Sequence, residues 1–377
     1  MSLPVPLAPD APLPLLLDDE RLDTPAVLVD LDIADDNIRR FARYAERAGV
    51  VLRPHAKSHK SPAMAARQVA AGAVGLCAAT ASEAAALVAT GTTDVTVAYP
   101  LVGTRKLDRL LPALADARVT LTSDSDVVTE GYGRLAARAG RPLEVLVEVD
   151  TGMHRAGVPA AVVLDLARGI ERTPGLEFAG ILTHAGHAHD VDGPGGLAEV
   201  ARSEAAVMGG LRADLEAAGL PPRVVSAGST LTAPYLDSGD GITELRPGTY
   251  VYNDLRTLAC WACTPDSLAA SVLTTVVSRS GGRVTVDAGS KTLTTTQDPQ
   301  VGQGHVLGAP QVRVARLSEE HGVLAVPDGG PSYAVGDRLR LLPVHVCVWM
   351  DLQPEVYGTR GGQVVERLDV AAMRHSL

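Results

Sequence analysis

The sequence predicts an α/β protein, a TIM-type (β/α)8 barrel joined to a second, smaller C-terminal all-β domain. Short β-branched runs alternate with Ala-rich stretches of helical period through the first two thirds of the chain, and eight such runs can be counted before about residue 255. Beyond that point the pattern becomes alternating apolar residues broken by Gly-Gly and Asp-Gly turns, without a long helical period. With 377 residues, 46% of them apolar, the chain is long enough for one large core and a smaller one.

In chain order, residues 1–24 are expected to form an N-terminal arm. Their apolar segment PLAPDAPLPLLLDDE is interrupted by four prolines and has no basic flank, which suits neither a signal peptide nor a membrane span. The run PAVLVD (25–30) is surplus to the count of eight and is expected to cross over to the all-β domain. The eight barrel strands are placed at 50–54, 74–78, 94–98, 118–122, 144–150, 178–184, 223–227 and 243–247. Between them, 59–72, 81–90, 124–139, 159–171 and 197–219 are rich in Ala, Leu, Glu and Arg, as an outer ring of helices requires. The barrel is therefore assigned to 31–255, and the β domain to 256–377 together with strand 25–30. Its strands are read from SVLTTVVSRSGGRVTVDAG, VLAVPDGG and VGDRLRLLPVHVCVW.

A net charge of -10 without any dense basic run offers no footprint for a nucleic-acid backbone or an anionic membrane surface. The four cysteines, Cys77, Cys260, Cys263 and Cys347, are too sparse for a disulfide framework, so reduced thiols and a cytoplasmic setting are expected.

Chemistry in such barrels gathers where the βα loops converge, at the C-terminal ends of the strands. Five segments fall there: RPHAKSHK with Lys57 after the first strand, DTGMHRAG with Arg155 after the fifth, THAGHAH with His184 at the end of the sixth, SAGST (226–230) after the seventh and RPGTY (246–250) after the eighth. Small residues after strands seven and eight can cradle a phosphate through backbone N–H groups and hydroxyls, which makes Ser226, Gly228, Ser229, Thr230, Gly248 and Thr249 binding candidates. The same residues also make ordinary tight turns.

Together these motifs resemble the fold-type III pyridoxal-phosphate enzymes, the alanine-racemase-like barrel proteins, over nearly the whole chain. The resemblance is strongest to the branch containing D-serine dehydratases and D-threonine aldolases. It implies that Lys57 holds pyridoxal 5'-phosphate as a Schiff base, that Arg155 faces the pyridine nitrogen, that His184 stands beside that arginine, and that SAGST and RPGT form the phosphate cup. It also implies a metal pair, His345 and Cys347 in VHVC, and a homodimer.

Each assignment has its own physics and its own plain alternative. A lone loop lysine is usually a solvated charge; one that forms an imine must lose its proton, helped by desolvation and by cations such as Arg53, His55 or Lys60. An arginine opposite the ring nitrogen stays charged and cannot protonate it, which weakens the electron sink; the alternative for Arg155 is a salt bridge with Asp150 or Glu148. On a β strand, His345 and Cys347 would point to one face and could share a metal, zinc by donor type or manganese, although His-x-Cys in an apolar strand is also ordinary core packing. His184, His187 and His189 have a spacing that fits no single metal cluster, and His187 is taken as a substrate-pocket or acid–base candidate. CWAC (260–263) is a CxxC without a partner pair, read as incidental cysteines.

The expected activity is a metal-assisted lyase on a small D-β-hydroxy-α-amino acid, with Lys57 as the base at Cα. In the resembling enzymes His-x-Cys goes more with dehydratases, giving a 2-oxo acid and ammonia, while the aldolases more often carry an aspartate two residues after the histidine. Retro-aldol cleavage to glycine and an aldehyde is the alternative. The residues after the pair, VWMDLQ, depart from the branch's Pro-Thr-Val-Asn-Leu type of sequence, which leaves the substrate open. A racemase would need a second base, for which Tyr333 and Tyr357 are available, and a non-catalytic pyridoxal-phosphate carrier would have no use for a metal pair.

Overall fold

The structure is a computed structural model that describes residues 15–16, 18–19, 22–280 and 282–373. Of these, the residues within Ile38–Lys57 and Met64–Gly248 form one compact unit, and those within Met1–Asn37, Ser58–Ala63 and Thr249–Arg374 form another. Most of the expected N-terminal arm lies outside the described residues; Leu15–Leu16 pairs antiparallel with Gln363 and Val364.

The first unit is the expected barrel. Its strands are Val51–Leu52, Leu76–Ala78, Asp94–Val97, Arg118–Ser123, Leu143–Val149, Leu176–Thr183, Val224–Ala227 and Glu244–Leu245, joined as one eight-stranded parallel sheet. The ring closes between the first two strands, where Val74 N donates to Leu52 O, Cys77 N donates to Pro54 O, and His55 bridges Cys77. Strands buried on both faces read as nearly continuous apolar runs, as Leu143–Val149 does. Between strands six and seven the backbones approach so closely that a Cβ on Gly180, at φ +143°, would lie 1.9 Å from Val224 O. Only glycine fits there.

The outer helices follow their apolar stripes. Ala160–Arg172 buries Val163, Leu166, Ala167 and Ile170, the i, i+3, i+4, i+7 face of a helix. Helix Leu31–Ala48 was not anticipated, although Leu31, Ala34, Ile38, Phe41 and Ala45 are buried at three- and four-residue spacing and Asp30 Oδ1 accepts from Ile33 N at its start.

In the second unit, Ala270–Ser280 is the hub. It pairs antiparallel with Ala26–Asp30, Arg283–Val286 and Arg338–Leu342. From Arg283–Val286 the sheet continues through Gly322–Ala325, Ala309–Leu317 and His305–Val306 to Arg338–Leu342, which returns to the hub and closes an antiparallel barrel.

One local expectation fails. His345 and Cys347 are not on a strand: the strand ends at Leu342, His345 is the N-cap residue of the short helix Val346–Met350, and Cys347 lies in its first turn. The apolar run was read with period two, but Val346, Trp349 and Met350 are the residues buried, at i, i+3 and i+4.

Candidate active site

In the barrel unit, the first strand runs into a 3₁₀ turn, Ala56–Ser58, that carries Lys57. His55 N donates to Pro247 O, tying the lysine segment to RPGT. Two of the cations expected to ease proton loss from Lys57 are engaged elsewhere. Arg53 binds Glu244 at 2.7 Å and Asp94 at 2.6 Å, and Lys60 is ion-paired with Asp351.

Other charges converge on His184 instead. Burial, and then the charges of Lys57, Arg246, Arg155 and His189, push its pKa well below the ordinary imidazole value, so the ring is neutral. Arg246 is buried, donates to Thr183 O, and keeps its Nε without a hydrogen-bond partner. Arg155 is exposed and forms no salt bridge with Asp150 or Glu148. Asp150 instead organises the loop, accepting from Gly152 N at 2.9 Å, His154 N at 3.0 Å and His154 Nδ1 at 2.8 Å. Buried Glu148, its pKa raised by burial, has Oε2 unpartnered while Arg246 and Arg155 act on it electrostatically. His187, in the 3₁₀ segment Gly186–Asp190, packs against Gly152 and has a buried, unpartnered Nδ1.

The SAGST turn divides its work. Ser226 is still in the seventh strand, and its hydroxyl donates to Glu244 Oε1 at 2.7 Å, so its side chain serves the barrel interior. Gly228 turns the chain at φ +80°, and its N–H donates to Glu204 Oε1 at 3.1 Å. Ser229 Oγ accepts from Leu231 N and Thr232 N, and Thr230 beside it is buried. Gly248 ends the barrel unit. A convergent set of cations with an unpartnered guanidinium nitrogen, a lysine at a strand end and a compact small-residue turn is chemistry that fits an anionic aldehyde cofactor such as pyridoxal phosphate.

In the β unit, buried Asp254 accepts from His345 Nδ1 at 3.1 Å and from Val346 N at 3.1 Å, while Thr257 N and Thr257 Oγ1 donate to its Oδ1. Burial lowers the His345 pKa, but the hydrogen bonds to Asp254 and Cys347 outweigh it and raise it to about 10. With Nδ1 held by a carboxylate, Nε2 is the nitrogen from which a metal would displace the proton. Cys347 Sγ lies 3.2 Å from Ser58 Oγ and 3.9 Å from Thr249 Oγ1, so Thr249, expected in the phosphate cup, has its hydroxyl beside the thiol. Among the described residues no group of three or more His, Cys, Asp or Glu forms a metal cage. An imidazole and a thiol are donor types that zinc accepts.

Asp254 and Glu204 were not singled out from sequence, Arg246 entered only as the first residue of RPGT, and Glu148 only as an alternative salt-bridge partner of Arg155. The signal for Asp254 was its place three residues before Thr257, with which it forms a reciprocal cap. Tyr357, one possible racemase base, packs with Leu22, Leu28, Leu273 and Val364 and bonds to Glu355. None of the four cysteines is in a disulfide; Cys260 is buried and Cys263 packs beside Leu255, Leu268 and Leu342.

The family of the alanine racemase N-terminal domain matches residues 29–255, more than half of the chain. The chain belongs to that family. It is a fold-type III pyridoxal-phosphate enzyme, a lyase by its relatives, and a serine dehydratase domain family matches residues 269–359. The chain is 36% identical to D-threo-3-hydroxyaspartate dehydratase of Delftia sp. (strain HT23), covering 86% of this chain and 91% of that protein. It is 33% identical to D-threonine aldolase of Arthrobacter sp, covering 99% of this chain and 97% of that one. Among solved structures, a cysteine-to-alanine mutant of D-threo-3-hydroxyaspartate dehydratase in the metal-free form superposes with a TM-score of 0.87 at 33% identity, covering 94% of this chain and 98% of that chain.

Proposed function

We propose that this enzyme is a metal-assisted dehydratase of small D-β-hydroxy-α-amino acids, converting them to a 2-oxo acid and ammonia. A lyase acting on D-β-hydroxy amino acids is supported by the relatives. The observation that carries the finer reading is the His345–Cys347 pair with its buried Asp254, because imidazole and thiolate with open positions make a Lewis-acid site. When bound, pyridoxal phosphate supplies an electron sink that acidifies Cα, and a divalent metal, zinc by donor type with manganese the alternative, supplies a Lewis acid for the β-oxygen.

The chain's own residues have these roles in the proposal. Lys57 Nζ would hold the cofactor at rest and, once the substrate amine has replaced it there, would be the free amine that takes the Cα proton. Neutral His184 would stand beside the ring without adding charge, Arg155 would face the ring nitrogen without protonating it, and His187 would be an acid–base group in the substrate pocket. Gly228, Ser229, Thr230 and Gly248 hold the phosphate, with Ser226 anchoring their strand. His345 Nε2 and Cys347 Sγ hold the metal, and Thr249 packs beside the thiol.

Retro-aldol cleavage is the second reading, favoured by likeness to a D-threonine aldolase over 99% of this chain. The homodimer and the cytoplasmic setting belong to the proposal as well; among the described residues no helix is long and apolar enough to cross a membrane. Incubation of the pyridoxal-phosphate- and zinc-loaded protein with D-serine, D-threonine and D-threo-3-hydroxyaspartate decides between the readings. Formation of 2-oxo acid with ammonia supports the dehydratase, and glycine with an aldehyde replaces it with the aldolase.

A further inference from the structure

We propose that Glu204 is the positioning residue that sets the turn after the seventh barrel strand to receive a phosphate group. The inference rests on the pyridoxal-phosphate reading of the barrel and adds a residue to it. Glu204 lies within helix Gly193–Ala217 and is only 1% exposed. A carboxyl group is costly to bury, so its polar contacts must compensate.

One such contact is made, to the turn after strand seven: Gly228 N donates to Oε1 at 3.1 Å, while Oε2 is buried without a hydrogen-bond partner. Glycine is required at position 228: a Cβ there would lie 3.0 Å from Leu245 Cδ2 and 3.2 Å from Ala233 Cα, and its φ is +80°. One side chain therefore holds the peptide on which the turn pivots.

The electrostatics suit an anion. Burial raises the Glu204 pKa, shifting the group toward its neutral acid, and Arg246, with its unpartnered Nε, acts on it as the nearby cation. Glu204 does not touch the phosphate in this account; it acts through Gly228.

The test compares full-length wild type, Glu204→Gln, which keeps the acceptor, and Glu204→Met, which keeps the volume without it. Each is titrated with pyridoxal phosphate and with pyridoxal, the same aldehyde lacking the phosphate. A buried N–H left without its acceptor costs enough to weaken binding about tenfold. Glu204→Met should lose that factor or more for pyridoxal phosphate and stay within about twofold for pyridoxal, with Glu204→Gln close to wild type for both. Unchanged pyridoxal-phosphate affinity in Glu204→Met, or equal loss for both aldehydes, overturns the inference. A wild type that binds no pyridoxal phosphate overturns the reading beneath it, and this inference with it. If circular dichroism shows Glu204→Met unfolded, Glu204→Ala takes its place, with a several-fold phosphate-specific loss expected and none contradicting the proposal.

Discussion

Asp254 Oδ2 accepts from His345 Nδ1 at 3.1 Å, and the same oxygen accepts the N–H of Val346, which begins the helix carrying Cys347. One fully buried carboxylate thus fixes both the tautomer of the histidine and the start of the helix on which the cysteine stands. Removing such a partner from a metal-ligating histidine typically costs 10- to 100-fold, on the order of tenfold at least, in metal affinity. Asp254→Ala should therefore weaken zinc binding by about that factor in competition with a chromophoric chelator. Asp254→Asn, whose single oxygen can serve His345 Nδ1 and Val346 N only by turning its NH2 toward the Thr257 donors, should fall between wild type and Asp254→Ala.

Lys57 is expected to be the lysine that holds the cofactor. Borohydride reduction of the pyridoxal-phosphate-loaded protein followed by peptide mapping should place the label on Lys57. Label on Lys60, which is ion-paired with Asp351, would contradict the assignment.

His184 gives a pH dependence of stability. Its folded pKa lies well below the value of 6.5 in an unstructured chain, so below pH 6.5 the unfolded chain takes up a proton that the folded one refuses. The unfolded state binds more protons, and stability falls as pH drops from 6.5 toward the folded pKa. Urea midpoints measured from pH 7.5 to 5 should decline, and His184→Asn should flatten part of that slope; an unchanged slope removes His184 as its source.

Gly180 tests the barrel. Because a Cβ there would meet Val224 O at 1.9 Å, Gly180→Ala should cost at least about 2 kcal/mol of unfolding free energy, through steric overlap and backbone strain. A melting temperature equal to wild type would mean that strands six and seven are not packed at this separation.

The barrel was legible because its strands are buried on both faces and end in turn signals. Arg118–Ser123 and Leu176–Thr183 carry runs that no helix would need. The short helix around Cys347 was not, since HVCVWM satisfies period two and period 3.6 equally well over so few residues; the cap from Asp254, 91 positions away, decides it. The motif residues Lys57, Arg155 and His184 could be named from their strand ends. Glu204 could not, because a buried carboxylate inside a helix has no pattern in the sequence until Gly228 N is brought to it by the fold; for Asp254 the spacing to Thr257 marks a cap, but not the bond from His345 Nδ1. Ser226 shows the converse: its motif marked it for the cofactor, while its hydroxyl is bonded to Glu244.

The central claim, that the pair His345–Cys347 serves the reaction through a metal, is tested most directly by Cys347→Ala stripped with chelator. Its pyridoxal-phosphate content and melting temperature should match wild type, while release of 2-oxo acid from D-β-hydroxy amino acids falls below detection and does not return with added zinc. Turnover retained in that metal-stripped variant would contradict the mechanism.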